Sequence, residues 1–252
     1  MANVLTLPHG YISKSQTEMF LRCPRQYEYR YIAGLKEPPG VSLIQGICVH
    51  GALDMNNKHK IKEHEDLPAK LLVEKFTDDF ETQCFDINQW EEPKDVVISE
   101  SGKLINEYMI REAPLIQPLK AEEKIEGVAQ YEDGTEIKLV AIVDVMEENQ
   151  IGDYKVTGRK KSKPEVDGSL QLGLETFLTG IRNTYLMLLL KKKFETYKQV
   201  HCVTDSQISW TLEVIRSVAK AISAGNFPVC DPCSWACSAT YCGYHHRCRG
   251  KH

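Results

Sequence analysis

The chain has 252 residues, 42% hydrophobic and 26% charged, enough apolar material for one sizeable core with a small appended part. A formal net charge of -4 excludes a generally basic nucleic-acid coat, so any phosphate contact must come from local patches. No apolar run approaches the roughly 18 residues that span a bilayer, and the first residues lack a charged region followed by an apolar one, so a cytoplasmic protein is expected.

Residues 12–35 read as a helix pair. Ser15 and Glu18 have capping-box spacing, which makes Ser15 the expected N-cap. Pro24 then closes this helix or opens the next at its first turn. The residues that follow, Arg25, Tyr27, Tyr29, Arg30 and Tyr31, fit either a packed amphipathic face or a nucleic-acid surface combining stacking with phosphate contacts. After a loop at 36–41, residues 42–57 resume a helical pattern on Leu43, Ile44, Ile47, Ala52, Leu53 and Met55. His50 lies inside it between Gly46 and Gly51, small residues that let other groups approach; a histidine on a helix is ordinarily structural. Residues 58–66 are a solvated charge run. Further amphipathic helices are expected at 67–85 and 98–111, separated by a loop running from Trp90 to Pro93.

The strands follow. Residues 120–128 and 136–144 flank a turn in which Asp133-Gly134 is the diagnostic pair. Residues 139–145 lead through the polar turn 147–150 into a strand at 151–156, completing a meander. Three charges interrupt these apolar strands: Asp144, Asp153 and Lys155. Side chains alternate across a strand, so Asp153 and Lys155 share a face, and a hairpin brings Asp144 alongside. Burying two carboxylates and an ammonium is costly unless something compensates them, and a divalent cation would; the plainer alternative is a surface hairpin with a salt bridge. Residues 158–163 form a basic loop beside this cluster, with Arg159, Lys160, Lys161 and Lys163 as candidates for phosphate contact. Residues 170–190 read as one long helix with Gln171 in its first turn, 194–203 as a strand, and Asp205 as the cap of a helix ended by Gly225.

The composition changes at Cys230. Five cysteines fall within 230–248, in a stretch too poor in apolar residues to fold on its own packing, which points to metal or cluster ligation. Zinc would be satisfied by four of these thiolates, or by three with His245 or His246. An iron–sulfur cluster also takes four, and Cys23, before a proline at a helix end, is the natural distant ligand. Cys48, Cys84 and Cys202 lie in apolar patterns and read as buried free thiols.

Assembled in order, these residues resemble the RecB-like branch of the PD-(D/E)XK nuclease superfamily, and within it the iron–sulfur exonucleases related to AddB and to CRISPR-associated and phage-encoded RecB-type nucleases. Ser13, Ser15, Cys23 and Pro24 match its first cysteine motif. Gly46 and His50 match G-x-x-x-H, Asp144 the second-strand aspartate, Asp153-Tyr154-Lys155 the D-x-K, and Trp235, Cys237, Cys242, Tyr244 and Cys248 the closing motif. Ala141 stands where the family usually has glycine, Glu175 stands where its Q-x-x-x-Y motif has tyrosine, and Cys230 and Cys233 are additional, with Cys233 the reserve ligand.

The resemblance implies an α/β, restriction-endonuclease-like core with a central mixed sheet flanked by helices. It implies a single nuclease domain over 1–252: a helical part at 1–115, the core at 116–204, and a C-terminal helix and cluster tail at 205–252. Mg2+ or Mn2+ would be held by His50, Asp144, Asp153 and the Tyr154 carbonyl, with Glu123 contributing from the preceding strand. Lys155, its pKa lowered beside the cation, would orient or deprotonate water. Cys23, Cys237, Cys242 and Cys248 would hold a structural [4Fe-4S] cluster, with zinc as the alternative. Gln171 and the basic loop would hold DNA, single-stranded or at ends, with a helicase, integrase or recombination partner directing the activity toward DNA repair, spacer acquisition or phage replication. Two other functions compete: a DNA-binding protein with a degenerate site, and a zinc-stabilised interaction module.

Overall fold

A mixed sheet with helices on both faces organises the chain. The computed structural model describes residues 3–85, 90 and 92–249; Glu91, within the expected Trp90–Pro93 loop, lies outside them. The elements run β1 (Asn3–Val4), β2 (Ile12–Ser13), α1 (Lys14–Arg22), α2 (Pro24–Tyr27), a π-helical turn (Glu28–Ile32), α3 (Val41–Glu63), α4 (Ala69–Gln83) and α5 (Lys94–Arg111). Then come β3 (Lys120–Gln130), β4 (Thr135–Met146), β5 (Ile151–Thr157), α6 (Lys163–Asp167), α7 (Leu170–Thr179), β6 (Asn183–Leu190), β7 (Glu195–Cys202), α8 (Asp205–Ser223) and α9 (His245–Cys248). The sheet runs β1-β4-β5-β6-β7, with β2 and β3 also on β4.

β4 is the hub. One edge carries β3, antiparallel along almost its whole length. The other carries β1, β2 and β5 in succession, and β5 meets it only at Val145↔Gly152 and Met146↔Ile151. Beyond these two pairs β5 turns to its parallel partner β6, where seven residues pair in register. The two strands therefore part at Asp144 and Asp153, leaving a fork in the sheet.

The core lies in two layers. On one face α3, α4 and α5 pack Leu53, Phe76 and Leu104 over Val145, Tyr154, Tyr185, Met187 and Leu189. On the other, α1, α7 and α8 cover Ile137, Leu139 and Ala141, while Leu186, Leu188 and Leu190 meet Val166 and Leu172. The run 185–190 thus sends alternate side chains into both layers, the pattern of a strand buried on two faces. This corrects the single helix expected at 170–190. The helix stops at Gly180, which takes a left-handed conformation (φ 76°) and closes α7 by donating to the Thr176 carbonyl.

Other expectations shift for local reasons. Ser13, not Ser15, caps α1, because the chain leaves the sheet at Ser13 and its Oγ accepts from the Gln16 amide. Thr204, not Asp205, caps α8, with its hydroxyl accepting from the Gln207 amide at 3.2 Å; Asp205 pairs with Arg182 instead. The charge run is not wholly solvated. α3 continues through it to Glu63, and buried Lys60 donates to Asp66 at 3.0 Å and to the Ala113 carbonyl at 2.6 Å. Cys48 and Cys84 are buried as expected, but Cys202, at the end of edge strand β7, is exposed. The tyrosines after Pro24 are structural: Tyr27 stacks on Phe227, Tyr29 meets Tyr244 and Tyr31 meets His9. Among the described residues no helix is long and apolar enough to cross a membrane.

Candidate metal centre and nuclease site

The fork is where the charged residues meet. Asp144 Oδ2 accepts from the Tyr154 amide at 2.7 Å, so a carboxylate occupies the gap in which the β4–β5 ladder would have continued. His50 enters from α3 with Nδ1 at 3.3 Å from the same Asp144 oxygen. Asp153 is 1% exposed; Lys155 Nζ lies 2.7 Å from its Oδ1, the same-face neighbour that strand alternation requires. Tyr154, between them, points into the opposite layer, where its hydroxyl meets Tyr108 at 2.9 Å and Asn57 at 3.0 Å.

Gln171, at the start of α7, donates to Asp153 Oδ1 and, at 2.9 Å, to Glu175 Oε1. Its amide is engaged by two carboxylates. Glu175 is 2% exposed, and both its Oε2 and Asp153 Oδ2 are buried with no protein partner.

Electrostatics follow from this crowding. Burial opposes charge on His50, but the adjoining Asp144, with Asp153, outweighs it and lifts the imidazole above its ordinary value. Burial likewise opposes ionisation of Asp144, yet His50, Lys155 and the Tyr154 amide hold it below the usual carboxylate range. Asp153 is pushed up, first by burial and then by Asp144; Glu175 is pushed well up by burial and by Asp153. Lys155 loses to burial but gains more from Asp153, Asp144 and Glu175, so it stays an ammonium. Three carboxylates surround it in the chain alone, whereas the lowering expected for it applies beside a bound cation.

Glu123 is not brought to the site; its carboxylate pairs with Lys120 at 2.8 Å. The β3 residue there is Glu122, directly across from Asp144 in the β3–β4 register, at a positive φ of 49° that takes it out of the ladder. One ligand atom each from His50, Glu122 and Asp144 lie within 4.8 Å of one another. Burial, Asp144 and Asp54 raise the Glu122 carboxyl. These donors fit a hard divalent cation: carboxylate oxygens and one imidazole. Asp153 is not in this group of three; its Oδ1 is held by Lys155 and Gln171, and its buried Oδ2 has no protein partner.

Two site residues escaped the sequence reading, each with a signal available. Glu122 follows from counting back from the Asp133-Gly134 turn to the position opposite Asp144, and Asp54 lies one helical turn beyond His50. Glu175, recognised in the sequence only as a departure from the Q-x-x-x-Y motif, proves to be a partner of Gln171. The basic loop is already engaged internally. Arg159 holds Glu165 with two 2.8 Å bonds, Lys161 approaches the same carboxylate, Lys163 pairs with Asp167 and Lys160 sits over the Tyr197 ring.

Cys23, Cys230, Cys237, Cys242 and Cys248 line one cavity, and Cys233 is exposed. Burial and the neighbouring Cys23 and Cys237 thiols push the Cys230 thiol up to about 12. Tyr244 fastens the tail to the N-terminal helices by donating to the Leu35 carbonyl at 2.8 Å.

The family model of the PD-(D/E)XK nuclease superfamily matches residues 11–249. No curated protein matches the chain. Among solved structures it is similar to the crystal structure of SSO0001, at 11% identity and a TM-score of 0.49 over 98% of this chain and 89% of that one. Matched by that model over nearly its whole length, the chain belongs to the PD-(D/E)XK nuclease superfamily, which makes it a metal-dependent nuclease.

Proposed function

We propose that the protein is a DNA exonuclease of the RecB-like iron–sulfur type, acting in the cytoplasm on single-stranded DNA or DNA ends, within one nuclease domain. The reading rests on the meeting of His50 from α3 with Asp144, Asp153 and Lys155 at the fork between β4 and β5. His50, Glu122, Asp144 and Asp153 would hold Mg2+ or Mn2+, with the Tyr154 carbonyl a further ligand. When bound, the cation neutralises charge on the phosphoryl oxygens and promotes ionisation of water.

The chain's own groups do the rest. Lys155 would orient the attacking water or take its proton, and would offset negative charge growing on the phosphoryl group. Gln171 fixes one oxygen of Asp153 and leaves the other free. Glu175, tied to the same amide, keeps the Gln171 side chain from turning away.

Cys23, Cys237, Cys242 and Cys248 would hold a structural [4Fe-4S] cluster that clasps the N-terminal helices to the tail. Zinc, held by four thiolates of the same cavity, is the alternative. A helicase, integrase or recombination partner would direct the activity to repair, spacer acquisition or phage replication.

The test is strand degradation of end-labelled DNA with Mg2+ and Mn2+, on wild type, Asp153→Ala and Lys155→Ala. Shortening from one end by wild type alone is expected. Internal cuts would remove the exonuclease reading, and normal cutting by either variant would remove the site assignment. A brown protein with stoichiometric iron is expected; a colourless one with stoichiometric zinc would overturn the cluster.

A further inference from the structure

Leu43, Ile47, His50 and Asp54 recur at helical spacing and form one stripe along α3. The second half of the stripe belongs to the acidic fork. The first half is apolar and uncovered: Leu43 is 59% and Ile47 49% exposed. Between them Gly46 leaves open space, with no atom within 4 Å of where a Cβ would stand. Leu43, Ile47, His50, Glu122 and Lys155 line the same open cleft, so the apolar half and the phosphate-cutting half are one surface.

The shared cleft points to the occupant, because a strand held at the fork must pass over this stripe. At 1.5 Å per residue, Ile47 lies about 4.5 Å and Leu43 about 10.5 Å from His50 along the helix axis. The two apolar side chains are thus about 6 Å apart, close to twice the ~3.4 Å step of stacked bases. Leucine and isoleucine meet nucleic acid by inserting between base steps and unstacking them, which costs least where the strand is already unpaired. In a paired duplex the base faces are already covered by their neighbours. An unpaired strand whose phosphate sits at Lys155 would offer its next bases to this stripe.

We propose that Leu43 and Ile47 form a base-separating wedge that selects an unpaired strand for the site, an inference that rests on the nuclease reading above and adds its substrate selectivity. The test uses oligonucleotides carrying 2-aminopurine at successive positions from one end, in Ca2+ so that binding is read without cleavage. Wild type should brighten the probe at one or two neighbouring positions, as unstacking requires. Leu43→Ser/Ile47→Ser should lose that brightening and bind single strands at least tenfold more weakly, with duplex affinity changed less than twofold and the thermal midpoint preserved. Leu43→Phe/Ile47→Phe should retain the signal.

Equal weakening for single strands and duplex would overturn the wedge, as would single-strand binding and brightening like wild type in the serine variant; the latter would assign the exposed stripe to another partner. Wild type that neither binds nor cuts DNA would instead remove the nuclease reading.

Discussion

Gly173 gives the sharpest test of how α7 is positioned. It faces α8, and a Cβ there would stand 2.1 Å from Thr211 Oγ1, 3.0 Å from Thr211 Cβ and 3.3 Å from Thr211 Cγ2. Rotating Thr211 moves its hydroxyl aside but leaves the Cβ too close, so the helices must separate. Gly173→Ala gains about 1 kcal/mol of helix propensity. Overpacking a closed interface costs about 1–3 kcal/mol, and with contacts this short the upper part of that range applies. The net is a loss of about 1–2 kcal/mol, or about 2–8 °C in thermal midpoint for a chain of this length. Thr211→Ala removes the 2.1 Å and 3.3 Å contacts, and with them a buried hydroxyl that has no partner. Gly173→Ala/Thr211→Ala should therefore recover at least half of the loss. Denaturant unfolding of the four proteins measures the coupling directly. Because α7 carries Gln171 and Glu175, Gly173→Ala should also slow cleavage. A single variant as stable as wild type, or strictly additive effects, would refute this account of the α7–α8 contact.

Three further outcomes are expected. Burial and Asp153 raise Glu175 well above the usual range, so the fold retains a proton that the unfolded chain releases, and this contribution fades as pH rises through the folded value. In EDTA, Glu175→Gln should be more stable than wild type by about 1–3 kcal/mol at pH 7.5 and by less at pH 5.5; a gap that stays constant with pH contradicts this. Burial, Asp79 and Cys84 push the Cys48 thiol up to about 11, so iodoacetamide at pH 8 should label exposed Cys202 and spare Cys48 in peptide mass spectra, and equal labelling would show otherwise. Cys23→Ala should lose iron and thermal stability together, whereas full iron content in that variant would rule out the clasp.

How much could be read from the residues alone varied with the kind of signal. The β3–β4 hairpin was legible because Asp133-Gly134 fixes a turn and the flanking strands alternate; Gly134 does take the positive φ that the turn needs. The segment 185–190 was not. An unbroken apolar run buried on both faces lacks the period of two that marks a half-buried strand, and it matches a helix as well until Gly180 is read as a stop. Caps failed by one or two residues, at Ser13 and Thr204, because tertiary pairing of the preceding segment decides where a helix begins. The D-x-K pair was legible because it depends on alternation within one strand, which no packing can change.

What stayed hidden in the site depends on the strands parting. Had β5 stayed paired with β4 beyond Val145, the Tyr154 amide would be spent on the ladder and Asp144 would face a neighbouring strand. The early divergence frees that amide for the Asp144 carboxylate, and it opens the sheet to α3 on one side and α7 on the other. His50 and Gln171 come from opposite layers, and through this gap His50 reaches Asp144 and Gln171 reaches Asp153. The register that sets the fork also sets Glu122 across from Asp144, and its positive φ marks where β3 bends out of its own ladder. Backbone geometry sets where each carboxylate stands, and His50 beside Asp144 and Lys155 beside Asp153 offset the repulsion between them. What these two cations leave unsatisfied is one oxygen each on Asp153 and Glu175, buried and without a protein partner.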